Sequence, residues 1–401
     1  MDAPNPITGL AEFDKHLDDL FQDVTTNTHN LTLTPKLFDD VELQLTETNI
    51  PPLIPLFLPK LTTLLQSYTK GDPAPIVTLT IKLLGPIPFT QILQLASEES
   101  LITALGSPSP QVNLLALTIL HKAASSPGDA AILSVMPSLF SALITTWLAS
   151  PQVEVAQKGL KVLGDLLDVD CPLPPPPPPP PISSGITPTY SELVLHKAPG
   201  KGLLWNLLFN SEEVYSLLLD LISGRHPATA AGNSHQLSLA QGRALRILPR
   251  LACLNLEGIS RSGLGVIPAL PVRVPNGHHS VEGEEEEEEK KEEPEVSRPT
   301  PGEGLLQFAA LHMIDKQDVL MHLSLVDFFE AFVSLMRLTE YSAYKVEVTK
   351  RLLREALRND EVLKEALVTL PDRTVEEEAE GLRRWLVEVL PEGVVRDVVI
   401  R

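Results

Sequence analysis

Ser109-Pro110-Gln111-Val112 returns unchanged as Ser150-Pro151-Gln152-Val153, 41 positions later. Each copy opens an apolar stretch with helical spacing. Leu114, Leu115, Leu117, Ile119 and Leu120 follow the first, and Val155, Ala156, Leu160, Val162 and Leu163 follow the second. Serine is a preferred N-cap, because its hydroxyl accepts a bond from an otherwise unpaired amide. Proline fits the first helical position, where its missing N–H costs nothing. The quartet therefore predicts two helix starts at equivalent places in a repeat.

A helix-start signal recurring near 40 residues is the period of HEAT and armadillo arrays, in which each repeat is two or three helices. The expected fold is an all-α, HEAT/armadillo-like α-solenoid with disordered loop insertions. Composition agrees with this. The chain of 401 residues is long for one core and natural for an extended stack. Hydrophobic residues make up 43% but aromatics only 5%, so leucine and alanine carry the packing. Arrays of this kind usually serve as binding surfaces, which points away from enzymes.

Net charge is −20. The stretch 282–295 supplies ten acids and two lysines of this balance. So acidic a chain suits a partner with basic patches better than a phosphate backbone, and direct nucleic-acid binding is not expected. Cys171 and Cys253 belong to no Cys-x-x-Cys pair, so a reducing compartment is expected: the cytoplasm, with the nucleus as a second location. The N-terminus lacks a basic segment followed by an apolar one, so no secretory signal is read. No charge falls between Asp129 and Glu154, but serines, threonines and Pro137 interrupt that stretch. It reads as a buried repeat helix rather than a membrane span.

The pattern divides the chain into N-terminal helical repeats over 1–170, a polyproline loop over 171–200, central helical repeats over 201–267, a disordered acidic loop over 268–304, and C-terminal repeats with a cap over 305–401. In the first part, Leu10, Phe13, Leu17, Leu20 and Phe21 mark one face of a helix. Further helices are expected over 35–45, from about Pro59, and over 75–84, 101–106, 111–124, 132–148 and 153–167. Residues 174–181 are eight consecutive prolines, a polyproline II run that cannot enter a helix. Such a run is an SH3, WW or profilin ligand in one reading and an inserted loop in the other. Helices resume over 202–209 and 212–223, and over 238–254 with a kink or break at Pro249. One or two apolar helices are expected over 305–338. Charge-rich helices over 344–358, 360–367 and 375–390, the last capped by Thr374, look like the polar end an array needs.

Catalytic signatures are few. Ala198-Pro-Gly-Lys-Gly202 suggests a Walker loop but lacks the upstream glycine, and Gly202 replaces the Ser or Thr after the lysine. Ser67-Tyr-Thr-Lys70 satisfies a permissive Ser-x-x-Lys spacing, and His278-His279 has no neighbouring ligand set. His312 and His322 lie on apolar helices. Asp327 and Glu330, three apart, make an interaction patch more readily than a proton-transfer pair. No catalytic residue, metal site or cofactor is expected.

Three segments together carry a resemblance: 203–219 (LLWNLLFNSEEVYSLLL), 239–252 (LAQGRALRILPRLA), and 305–323 (LLQFAALHMIDKQDVLMHL) with its continuation to Arg337. They resemble the family of non-ATPase regulatory subunit 5 of the 26S proteasome, whose fungal relatives often carry a DNA mismatch repair name. The resemblance implies a chaperone for assembly of the proteasome regulatory-particle base. Such a protein grips the C-terminal domain of one ATPase subunit and delays docking of that subunit's tail onto the core particle. The partner implied is thus a proteasomal ATPase subunit, with the chain otherwise monomeric and no membrane involved. A solenoid's inner helices line a concave surface. If the second helix of each repeat is the inner one, exposed polar positions on it are candidate contacts: Lys82, Lys122, Lys161, Asp165, Arg243, Arg246 and Arg250, together with Asp327 and Glu330.

Overall fold

The computed structural model describes residues 7–26, 32–67, 72–172, 199–230, 234–261 and 303–399. The polyproline run, the glutamate run, His278-His279 and Lys70 lie outside these. The described residues are helical, with no strand among them. They fall into two compact units, one up to Leu207 and one from Leu208 onward.

The N-terminal unit is built from α1 (Leu10–Thr25), α2 (Pro35–Gln44), α3 (Ile54–Ser67), α4 (Ala74–Leu84), the single turn α5 (Phe89–Ile92), α6 (Glu98–Leu105), α7 (Pro110–His121), α8 (Pro127–Leu133), α9 (Pro137–Ala149) and α10 (Val153–Val169). The second helices α2, α4, α7 and α10 lie side by side in one layer. In the other layer α1 packs on α3, and α6 on α9. This is the two-layer stacking expected of a helical repeat array. Phe13 anchors the first repeats, meeting Phe38 and Phe57 edge-on at 5.0 and 5.2 Å. Phe13, Leu17 and Leu20 are fully buried, whereas Phe21 is half-buried, so the apolar face of α1 is centred one position away from it.

The two copies of the quartet are not equivalent. Ser109 is the N-cap of α7 with Pro110 in the first turn, although its hydroxyl makes no capping bond. Ser150 instead ends α9, and α10 starts at Val153 behind Gln152. Its hydroxyl accepts from the Gln152 amide at 3.2 Å, a bend rather than a cap. The stretch expected as one helix over 132–148 is two, α8 and α9, bent by 94°. Pro137 causes the break, because it lacks an N–H and disfavours helical backbone at the residue before it. Conversely, the helix expected from about Pro59 begins at Ile54 and takes Pro59 inside.

After α10 the chain leaves at Cys171-Pro172 and returns at Pro199. The two ends are joined: the Gly200 amide donates to Cys171 O at 2.7 Å and the Gly202 amide to Asp170 O at 2.9 Å. A Cβ on Gly200 would stand 2.1 Å from the Asp170 carbonyl carbon, so only glycine allows this approach. The Asp170 carboxylate then caps α11 (Leu203–Asn210), accepting from the Leu204 and Trp205 amides at 2.6 and 3.3 Å. The Trp205 indole donates to Leu167 O at 2.8 Å.

The C-terminal unit contains α12 (Glu212–Ser223), α13 (Ser234–Ser260), the short α14 (Leu305–Gln307) running into a π-helical turn at Phe308–His312, α15 (Val319–Leu338), α16 (Ala343–Ala356), α17 (Glu361–Thr369), α18 (Glu376–Val389) and α19 (Glu392–Val399). α13 packs along α15, and α15 packs on α17 and α18. Phe328, Phe329 and Phe332 of α15 are buried together. By length and composition alone α15 is apolar enough to cross a membrane; here its apolar face is the core of this unit. The break expected at Pro249 falls instead at Asn255 (φ −155°, ψ 83°), whose side chain accepts from the Gly258 amide and starts a new turn. Thr374 is not the cap of α18: Val375 holds that position, and the Thr374 hydroxyl donates back to Leu370 O. The acidic insertion closes as the first one does. The Gly304 amide donates to Ser260 O at 3.2 Å, and a Cβ there would meet Ile259 O at 2.5 Å.

Candidate interaction surface

In the N-terminal unit, the lysines expected as contacts sit on the second-helix layer, and Lys82 and Lys122 tie its repeats together. Lys82, in the last turn of α4, donates to Glu42 O near the end of α2 at 2.6 Å. Lys122, just past α7, donates to Gly85 O just past α4 at 2.8 Å. The carbonyls at a helix C-terminus lack partners inside the helix and carry the negative end of its dipole, so each ammonium caps the preceding repeat. In the third step His121 Nε2 and Lys161 Nζ meet on one oxygen of Asp165, at 2.7 and 2.8 Å. Lys158, which the sequence reading missed, approaches His121 Nδ1 at 3.4 Å. Recurrence of Lys82, Lys122 and Lys161 at nearly the repeat period is the signal that marks this row.

Among the described residues no carboxylate is paired with Lys122, and burial lowers its pKa. Lys158 is also lowered, first by burial and then by Lys161, with Asp165 opposing. Lys122 and Lys158 are thus partly desolvated ammonium groups, the second with Asp165 as counter-charge.

In the C-terminal unit the expected contacts divide. Arg246 is exposed on α13. Arg243 is 9% exposed, and burial followed by the neighbouring Arg246 lowers its pKa, so it is not the surface contact expected of it. Its position follows from the helix: Ala240, Ala244, Ile247 and Leu248 share the buried side. Arg250 is half-buried. Asp327 is exposed on α15, but Glu330 is held by Arg373 through contacts of 2.6 and 3.3 Å. The two acids do not form a proton-transfer pair in this arrangement. His322 is likewise committed, to the buried Asp360 carboxylate at 2.9 Å, which also accepts from Lys316 at 2.8 Å.

The Walker-like loop has spent its amides. Those of Gly200 and Gly202 go to Cys171 and Asp170, and the Asp170 carboxylate occupies the start of α11, where a phosphate would need to sit. Among the described residues no group of three or more His, Cys, Asp or Glu is placed to hold a metal ion. Cys253 is raised to about 11, chiefly by burial, which makes it a poor nucleophile.

No curated protein matches the chain. A family match falls N-terminal to the segments that carry the proteasome-subunit resemblance. Residues 14–155, from α1 to the first turn of α10, match the family described as DNA mismatch repair protein HSM3, N terminal domain, which bears out the fungal name attached to that resemblance.

Proposed function

We propose that this chain is an ATP-independent chaperone for assembly of the 26S proteasome regulatory-particle base. It binds the C-terminal domain of one ATPase subunit and sterically delays docking of that subunit to the core particle. The observation that carries this reading is the HSM3 match over α1 to α10, taken with the proteasome-subunit resemblance of the later segments. The chemistry of the chain is consistent with it. A Gly200–Gly202 loop whose amides are spent internally offers no phosphate cradle, so release must come from competition or from a change in the client. Stacked helices offer a surface of fixed shape that can cover one domain and mask another.

Calorimetric titration with the isolated C-terminal domains of the six proteasomal ATPase subunits tests the proposal. One-to-one binding to a single domain is expected, and binding to none overturns it. Within that assay Arg246→Glu, on the exposed side of α13, probes the surface without unfolding the unit. A loss of tenfold or more would place the client there; unchanged affinity removes Arg246 from the contact. The name of the matched family also supports a second reading, a DNA-repair accessory protein. Salt-dependent binding to duplex DNA at physiological ionic strength would favour it.

A further inference from the structure

The span 73–169 contains four basic residues, Lys82, Lys122, Lys158 and Lys161, and no arginine. All four lie on the second-helix layer: one on α4, one capping α7 and two on α10. Of the acids in the same span, Glu98, Glu99 and Asp129 lie on α6 and α8, outside that layer. Glu154 is exposed at the start of α10, Asp168 lies near its end, and Asp165 is shared by His121 and Lys161. A chain of net charge −20 therefore gathers the cations of three successive repeats on one face.

Lys82 and Lys122 are short of counter-charge, whereas Lys161 is paired with Asp165 at 2.8 Å. An ammonium has three donors, and the contacts found for Lys82 and Lys122 use one each, on a neutral carbonyl. Partial burial has removed part of their hydration without supplying a carboxylate. An incoming anion would form charge-assisted hydrogen bonds there at a reduced desolvation cost. Spacing adds a constraint. Neighbouring helices pack about 8–10 Å apart, so one cation per repeat recurs at about that interval. An extended chain of the polyproline II type rises about 3.1 Å per residue with three residues per turn, which brings every third side chain into register with the row.

We propose that the α4, α7 and α10 part of the second-helix face receives an extended acidic segment of a partner protein, its carboxylates seated on Lys82, Lys122, Lys158 and Lys161. This goes beyond the chaperone reading and does not depend on which client is bound.

The test uses the full chain and a fluorescein-labelled peptide of five Glu-Ser-Gly repeats, followed by anisotropy. Saturable one-to-one binding is expected at low ionic strength, weakening at least tenfold as salt rises to about 0.5 M, where the Debye length falls to a few ångströms. Lys158→Gln/Lys161→Gln leaves the Lys82 and Lys122 caps in place and should weaken binding about tenfold at an unchanged melting temperature. Lys161→Arg, which keeps the charge, should retain it. Absence of binding, or equal binding by the double variant, overturns the proposal. Tighter binding of a duplex oligonucleotide with the same lysine dependence also overturns it, and makes the face a nucleic-acid site.

Discussion

Asp170 holds two structures at once. It ends α10, and its carboxylate starts α11, whose Leu204 amide lies 34 residues further along the chain. Burial is the largest influence on it and raises its pKa above the usual carboxylate value, while the amides of Leu204 and Trp205 act against that. Asp170→Ala should cost about 1–3 kcal/mol in urea unfolding, because two buried amides lose their acceptor. Asp170→Asn keeps an acceptor and sheds the buried charge, so it should cost clearly less; equal losses would show that charge, not capping, matters. A raised carboxyl pKa favours the folded state at low pH, and this contribution fades as pH rises through the folded value. Asp360 behaves in the opposite sense. Burial pushes its pKa up, but hydrogen bonds from Lys316, the Leu363 amide and His322 outweigh burial and hold it below the usual value. Its stabilisation is complete above the unfolded value of about 3.9 and is lost as pH falls through the folded value. Asp360→Asn should therefore lower the melting temperature at pH 7, corresponding to about 2–3 kcal/mol, with the gap to wild type narrowing progressively as pH falls below about 4. A gap independent of pH would rule out this linkage. Neither aspartate stands out in the sequence, since each acts on partners more than 30 residues away.

At the level of elements, the local rules worked where one turn decides the outcome. Pro110 opens α7, Pro35 opens α2, and 212–223 is found as expected. They failed where packing decides. Ser150-Pro151 repeats the letters of Ser109-Pro110 but closes α9, because the apolar face of α10 that meets α9 and α7 starts only at Val155. Pro249 is absorbed into α13, where Leu248 and Leu251 beside it are buried, and the chain breaks later at Asn255. The lysine row was legible in part. Its period is written in the sequence, but the carbonyls it caps are backbone atoms of the preceding repeat and leave no side-chain signature. If that capping joins repeats, Lys122→Met should destabilise the N-terminal unit by about 1 kcal/mol, since it leaves the Gly85 carbonyl without its cation. Lys161→Met, at a side chain 61% exposed and paired only within its own helix, should change stability by less than about 0.5 kcal/mol. Equal effects in thermal unfolding would mean that the Lys122 contact does not join the repeats.

Across the whole molecule, both long insertions are attached in the same way. The chain departs and returns at adjacent backbone points, Cys171 with Gly200 and Ser260 with Gly304, and in each case the returning residue is a glycine whose Cβ would collide with the departing backbone. The side chains beside these closures are also fixed. Tyr344 bonds the Ser260 hydroxyl at 2.7 Å and lies under the Arg261 guanidinium. With the ends held by the folded units, the residues between them are not needed to close the fold. Replacing 173–198 by a six-residue Gly-Ser linker should therefore leave the melting temperature unchanged or raise it, because a shorter loop lowers the entropy of closure by about 1 kcal/mol. The same holds for 262–302. Gly200→Ala and Gly304→Ala should do the reverse, each destabilising its own unit by more than either loop replacement. If the linker variants melt well below the parent chain while the alanine variants do not, the insertions contribute contacts of their own and the closures are incidental. If they melt with it and still bind the same ATPase domain, recognition belongs to the stacked helices, and a polyproline adaptor function is set aside.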